Sequence, residues 1–93
     1  MKKVNLNSIV RVMLTDYGKD IFYHRNDDIN KSIAQRGWKP IEPRFPKVDE
    51  YGFSQFQLWD FMNIYGDYFQ LGSERMPIKD LCIYIDEQDL DEV

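Results

Sequence analysis

Three prolines at three-residue intervals, Pro40, Pro43 and Pro46, set the strongest constraint on how this chain can fold. Each ring fixes φ at about −65°, removes a backbone donor and pushes the preceding residue into extended conformation. Residues 37–53, with Gly37 and Gly52 at their margins, therefore read as a loop with polyproline-like stretches. Loops longer than about 12–15 residues tend to be functional or poorly ordered. Regular structure must lie on either side, and 93 residues provide for a single domain, 1–93. A chain of this size buries only about 60–65% of its unfolded surface. Six Phe, six Tyr and two Trp compensate, because each buries a large area per residue.

Before the loop, Val10, Val12 and Leu14 alternate with Arg11 and Met13, which predicts a strand over 8–14. Ile9 and Met13 make its second face partly apolar, so a cover over that face is expected. Asn5, Asn7 and Ser8 read as a turn. Thr15 and Asp16 are candidate N-caps. Tyr17, Ile21, Phe22, Ile29 and Ile33 then share one helical stripe, which predicts a helix over 16–35, with a weak point at Arg25-Asn26-Asp27-Asp28. Gly18 lies in the stripe, where it permits close approach at a cost of about 1 kcal/mol against alanine.

After the loop, Ser54 and Gln57 have the spacing of a capping box, with Phe53 and Leu58 at the staple positions. Gly66 is placed as a left-handed C′ residue. A second helix is therefore expected over 55–65, apolar except for Gln57, Asp60 and Asn63. Residues 66–77 read as a loop in which Tyr68, Phe69 and Leu71 must pack. Leu81, Ile83 and Ile85 alternate with Cys82 and Tyr84, which predicts a half-buried strand over 81–85, and residues 87–93 are expected to fray. The fold class that follows is α+β: strand, helix, loop, helix, strand. The two strands pair and the helices pack on one face of a small sheet.

The net charge of −4 hides a dipole. Residues 80–93 carry six acidic and no basic side chains, whereas residues 31–47 carry five basic side chains against Glu42 alone. Steering depends on local field, so each end is a candidate surface. Asp86, Glu87, Asp89, Asp91 and Glu92 form the acidic candidate, suited to a basic partner. Trp38, Tyr65, Tyr68 and Phe69 form an aromatic candidate, since aromatic anchors dominate interface energy. Arg36, Lys39, Arg44 and Lys47, interleaved with Trp38 and Phe45, form a third candidate, suited to nucleic acid.

Other chemistries lack their residues. The five glycines are scattered and form no phosphate-binding loop. One His and one Cys fall short of a structural zinc set, and Asp89 and Asp91 lack the glycine and closing Glu of a calcium loop. Cys82 is expected as an inert strand thiol and His24 as a boundary residue. Adjacent carboxylates such as Asp27 and Asp28 point apart and make no acid/base pair. No catalytic residue, metal or cofactor is therefore expected. No run approaches the roughly 20 apolar residues of a membrane span, and no apolar segment follows Met1-Lys2-Lys3, so neither membrane insertion nor a signal peptide is expected. Exposed strand edges and the apolar second helix admit a homodimer.

Two stretches carry a resemblance: Leu14-Thr15-Asp16-Tyr17-Gly18-Lys19-Asp20-Ile21-Phe22-Tyr23-His24, and Pro43-Arg44-Phe45-Pro46-Lys47-Val48-Asp49 running on to Phe56-Gln57-Leu58-Trp59-Asp60-Phe61-Met62-Asn63-Ile64-Tyr65-Gly66. Over residues 10–66 the chain resembles small proteins of unassigned function encoded by phages and prophages of Gram-positive bacteria. The resemblance implies an accessory protein acting in a bacterial cytoplasm and brings no functional residue with it. The expected function is non-catalytic: binding and inhibiting a host protein, with nucleic-acid handling or defence systems such as CRISPR–Cas as the context. The alternative is a small nucleic-acid-binding protein using loop 36–47.

Overall fold

The computed structural model describes residues 1–70 and 72–92. Its elements run β1 (Lys2–Val4), β2 (Ile9–Val12), α1 (Asp16–His24), α2 (Asp27–Gln35), β3 (Ser54–Gln57), α3 (Leu58–Tyr65), β4 (Tyr84–Ile85) and β5 (Leu90–Glu92). The α+β class holds, with two small antiparallel sheets.

The alternation of residues 8–14 works as period-two patterning should. Val10 and Val12 are fully buried and Leu14 is nearly so. β2 forms the centre of a three-stranded sheet ordered β3-β2-β4, with Val10 opposite both Phe56 and Ile85. The expected pairing of the two strands is thus present as β2 with β4. Val10, Val12 and Phe56 pack with Ile21 of α1 and with Phe61 and Tyr65 of α3, so both helices lie on one face. The other face is left open: Ile9 and Tyr84 are exposed there, and the expected cover is absent among the described residues.

Thr15 caps α1 as its residue type predicts. Its extended backbone lets Oγ1 accept from the Gly18 N–H at 3.1 Å, while the hydroxyl donates to the Met76 carbonyl at 2.6 Å. The helix breaks at the polar run, as its composition allows. Asn26 leaves helical geometry, and Asp27 and Asp28 restart the chain where carboxylates favour a helix N-terminus. The stripe then buries only its first half. Ile21 is in the core, but α2 buries no residue and Ile29 is exposed.

Several expectations are corrected. Ser54 and Gln57 form no capping box: Ser54–Gln57 is β3, with Ser54 and Phe56 buried and Gln55 and Gln57 exposed, and the helix starts at Leu58. Ser54 Oγ donates instead to the Lys47 carbonyl at 2.8 Å, tying the proline loop to the sheet. Gly66 is right-handed at φ −52°, and the chain continues into a 3₁₀ turn rather than reversing. The strand predicted over 81–85 is reduced to Tyr84–Ile85. Asp80 and Leu81 adopt left-handed φ of 57° and 54°, which turns the chain and leaves Leu81 and Cys82 exposed. The end of the chain is also not a frayed tail. A 3₁₀ turn at Glu87–Asp89 leads into β5, which pairs with β1 in the register Lys2–Glu92, Lys3–Asp91 and Val4–Leu90. Leu71 and Val93 lie outside the described residues.

The buried junction of α1, α3 and the segment at Pro77 closes the core. Tyr65, fully buried, donates its hydroxyl to the Gly18 carbonyl at 3.1 Å. Burial pushes its phenol above the ordinary value of 10.0, and the nearby positive charge of Arg25 opposes this only in part. The pH dependence follows from that direction. A raised folded-state value contributes stability that is complete below about pH 10 and is lost as pH rises beyond it. Denaturant midpoints followed by circular dichroism should therefore fall more steeply for wild type than for Tyr65→Phe between about pH 9 and 11. Parallel curves for the two proteins would contradict this.

Candidate interaction surface

The proline loop follows α2 and doubles back along it. Asn30 fastens it: the Ile41 N–H donates to Oδ1 at 2.8 Å, and Nδ2 donates to the Ile41 carbonyl at 2.9 Å. Further on, Phe45 stacks on Tyr23 at the end of α1, with ring centroids 4.6 Å apart. The loop closes with a turn that its residues specify. Asp49 Oδ1 accepts from the N–H groups of Tyr51 and Phe53 at 2.9 and 2.8 Å, and Gly52 takes the positive φ of 89° that side chains disfavour. A chain without regular structure is thus held at both ends and in the middle.

What it presents is apolar and charged, with Lys39, Arg44 and Lys47 set against Glu42, Asp49 and Glu50. Trp38, Ile41, Phe45, Val48 and Tyr51 are all exposed, Trp38 at 62% and Tyr51 at 73%. Lys39, Arg44 and Lys47 are exposed between them, and Arg36 is exposed just before Trp38. The Arg36 guanidinium lies 5.6 Å from the Trp38 ring centroid, a cation–π distance that orients both groups. Beside the loop runs a groove of about 1060 Å³ between α1, β3 and α3. Arg25, Arg44 and Lys47 line it, as do Asp49, Asp60 and Asp67, so its electrostatics are mixed.

The aromatic candidates separate. Trp38 is open, and Tyr68 is 40% exposed at the groove, edge-on to Tyr17. Tyr65 is core, and Phe69 is half-buried against Phe61 at 6.0 Å. Neither of these two presents an anchor: the helical face that carries Tyr65 turns toward the sheet because α3 packs on Phe56.

The acidic candidates are also changed by the fold. Arg11 Nη1 holds both Asp86 oxygens at 3.1 and 3.2 Å. Lys2 Nζ lies 3.4 Å from Glu87 and 4.0 Å from Glu92, and Lys3 stands opposite Asp91 in the ribbon. The side chain of Asp89 lies outside what is described. Exposed pairs of this kind contribute about 0–1 kcal/mol each, but they draw down the local field. Sequence reading missed these cations because they come from the far end of the chain. It also missed Ile41, Val48 and Tyr51; the Asp49-x-x-Gly52 turn was the available signal for where the loop is held.

His24 is exposed, with Nδ1 2.9 Å from Asp27 Oδ2. Among the described residues no group of three or more His, Cys, Asp or Glu side chains is placed to hold a metal ion, and no helix is long and apolar enough to cross a membrane. The fold and this surface define a small α+β domain carrying a fastened, exposed loop. No protein-family model, curated protein or solved structure matches the chain.

Proposed function

We propose that the protein is a non-catalytic binding protein and that its proline loop is the surface that engages the partner. One observation carries this reading: five large apolar side chains stand exposed on a loop that is fastened at Asn30, Asp49 and Ser54. Exposed anchors on a pre-ordered segment bind without a large ordering cost. The phage-type resemblance supplies the setting: an accessory protein in a bacterial cytoplasm that occupies and inhibits a host nucleic-acid-handling or defence assembly, with CRISPR–Cas effectors as one such class. The acidic end is the weaker candidate, because Arg11 and Lys2 already engage three of its carboxylates.

Parallel affinity captures from bacterial lysate test the choice of surface. A Trp38→Ala/Tyr51→Ala variant should lose the retained host component by about tenfold or more. Neutralising Asp86, Glu87, Asp89, Asp91 and Glu92 should change its recovery less than about threefold at physiological salt. Full recovery with the loop variant, or loss only with the neutralised end, would remove the loop from this role.

A further inference from the structure

The loop's charge narrows what it can hold, and the inference drawn here rests on the loop being the contact surface. Among the described residues no ion pair engages Arg36, Lys39, Arg44 or Lys47. Residues 31–47 hold five cations and one carboxylate, and Asp49 and Glu50 follow at the end of the same loop. The order of side chains matters as much as their sum: Arg36, Trp38 and Lys39 at one end, then Arg44, Phe45 and Lys47 at the other. An acidic protein surface would satisfy the cations, and its pockets could take the rings, but it does not call for rings and cations in alternation. A nucleotide chain with unstacked bases satisfies both, since every unit offers a phosphate and a π face.

We propose that the loop binds single-stranded nucleic acid, with Arg36, Lys39, Arg44 and Lys47 on the phosphates and Trp38 and Phe45 stacked on bases. Trp38 is exposed over most of its surface, and Phe45 rests one face on Tyr23 while 59% exposed. Trp38 lies three residues past the end of α2, whose nine residues span about 13 Å, while Phe45 contacts Tyr23, four residues before its start. Arg44, Phe45 and Lys47 line the groove together with Asp49, Asp60 and Asp67, so these carboxylates weaken the hold on phosphate there. A duplex keeps its bases stacked and leaves the rings without partners. The overall acidity of the protein lowers affinity at low salt.

Fluorescence anisotropy of labelled oligothymidylate of about 20 nucleotides tests this, since single-strand sites span about 4–16. Neutralising four phosphates gives a log–log salt slope of about −2.8, so affinity should fall about 50-fold from roughly 50 to 200 mM salt. Trp38→Ala should weaken binding about tenfold with little change of slope. Arg44→Gln/Lys47→Gln should roughly halve the slope. All these residues are exposed, and unchanged circular dichroism melts establish that the variants fold. Absence of binding at low salt, or binding indifferent to these substitutions, overturns the proposal. Tighter binding to a duplex of equal length also overturns it. Polyglutamate bound as tightly and with the same dependence on the loop would replace nucleic acid with an acidic protein surface, leaving the loop reading itself intact.

Discussion

Gly18→Ala is expected to destabilise the protein by about 3 kcal/mol, lowering the melting temperature by roughly 12–24 °C. Helix propensity alone argues the opposite, since alanine in a helix interior is favoured by about 1 kcal/mol. Packing decides the sign. A Cβ at Gly18 would be driven into the carbonyl oxygen of Pro77 and would press on Leu14 Cδ2 at 3.2 Å. That carbonyl cannot step aside cheaply. It accepts from the Thr15 N–H at 3.0 Å, its ring is buried, and its neighbours are tied in by Thr15 Oγ1 to Met76 and by the Leu14–Ile78 bridge. Relief therefore means breaking the N-cap or parting the chain from α1. Gly66→Ala provides the internal control. No atom lies within 4 Å of a Cβ there and the backbone is right-handed, so that variant should be neutral or more stable by about 0.4–1 kcal/mol. Thermal melts of the two variants should move in different directions; similar melts would mean that the Gly18–Pro77 contact does not constrain the fold.

The parts of the fold that sequence revealed are those decided locally. Val10, Val12 and Leu14 alternate and are buried on one side, so period two predicts them. Thr15 is a cap in sequence and in structure, and the polar run at Arg25–Asp28 breaks the helix where no apolar contact holds it together. Ser54–Gln57 shows the limit. The same four residues satisfy a capping box and an in-out alternation, and local energies do not separate them: a cap contributes about 1 kcal/mol. What tips the choice is distant. β2 offers a ladder to pair with and a core that accepts Phe56. The end of the chain failed for a similar reason. Six acidic residues look too charged for regular structure until Lys2, Lys3 and Arg11 arrive from the other terminus.

The candidate surface was legible in composition and illegible in exposure. Cations interleaved with rings are visible in the sequence between residues 36 and 47, and prolines announce that this stretch is neither helix nor central strand. Which aromatic side chains remain outside is not. That depends on where α3 begins, and a start at Leu58 instead of Gln55 shortens the helix and leaves its orientation to contacts with Phe56. Trp38 stays open because Asn30 fixes the loop beside α2 rather than over the core.

Tyr65 offers the sharpest separation of anchor from core, and Tyr65→Ala is expected to cost about 3–5 kcal/mol. The ring is fully buried, 5.2 Å from Phe61 and 5.8 Å from Phe56 between centroids, so truncation opens a cavity where the sheet meets α3. A domain of this size has a total stability at the low end of about 5–15 kcal/mol, so the variant should be largely unfolded near 37 °C. Tyr65→Phe keeps the ring and removes only the bond to the Gly18 carbonyl, for which about 1 kcal/mol is expected, rising toward 3 if that carbonyl is left without a donor. Trp38→Ala removes an aromatic ring of greater area, yet should stay within about 0.5 kcal/mol of wild type because solvent already surrounds it. Chemical denaturation of the three variants measures all of this directly. A folded Tyr65→Ala protein of near-wild-type stability would move Tyr65 from the core back among the binding residues, and a strongly destabilised Trp38→Ala would remove the loop as a free surface. Between the two folded variants the order of stability, Tyr65→Phe below Trp38→Ala, is the reverse of the order that binding measurements should give, because an exposed anchor contributes to affinity the energy that a buried ring contributes to the fold.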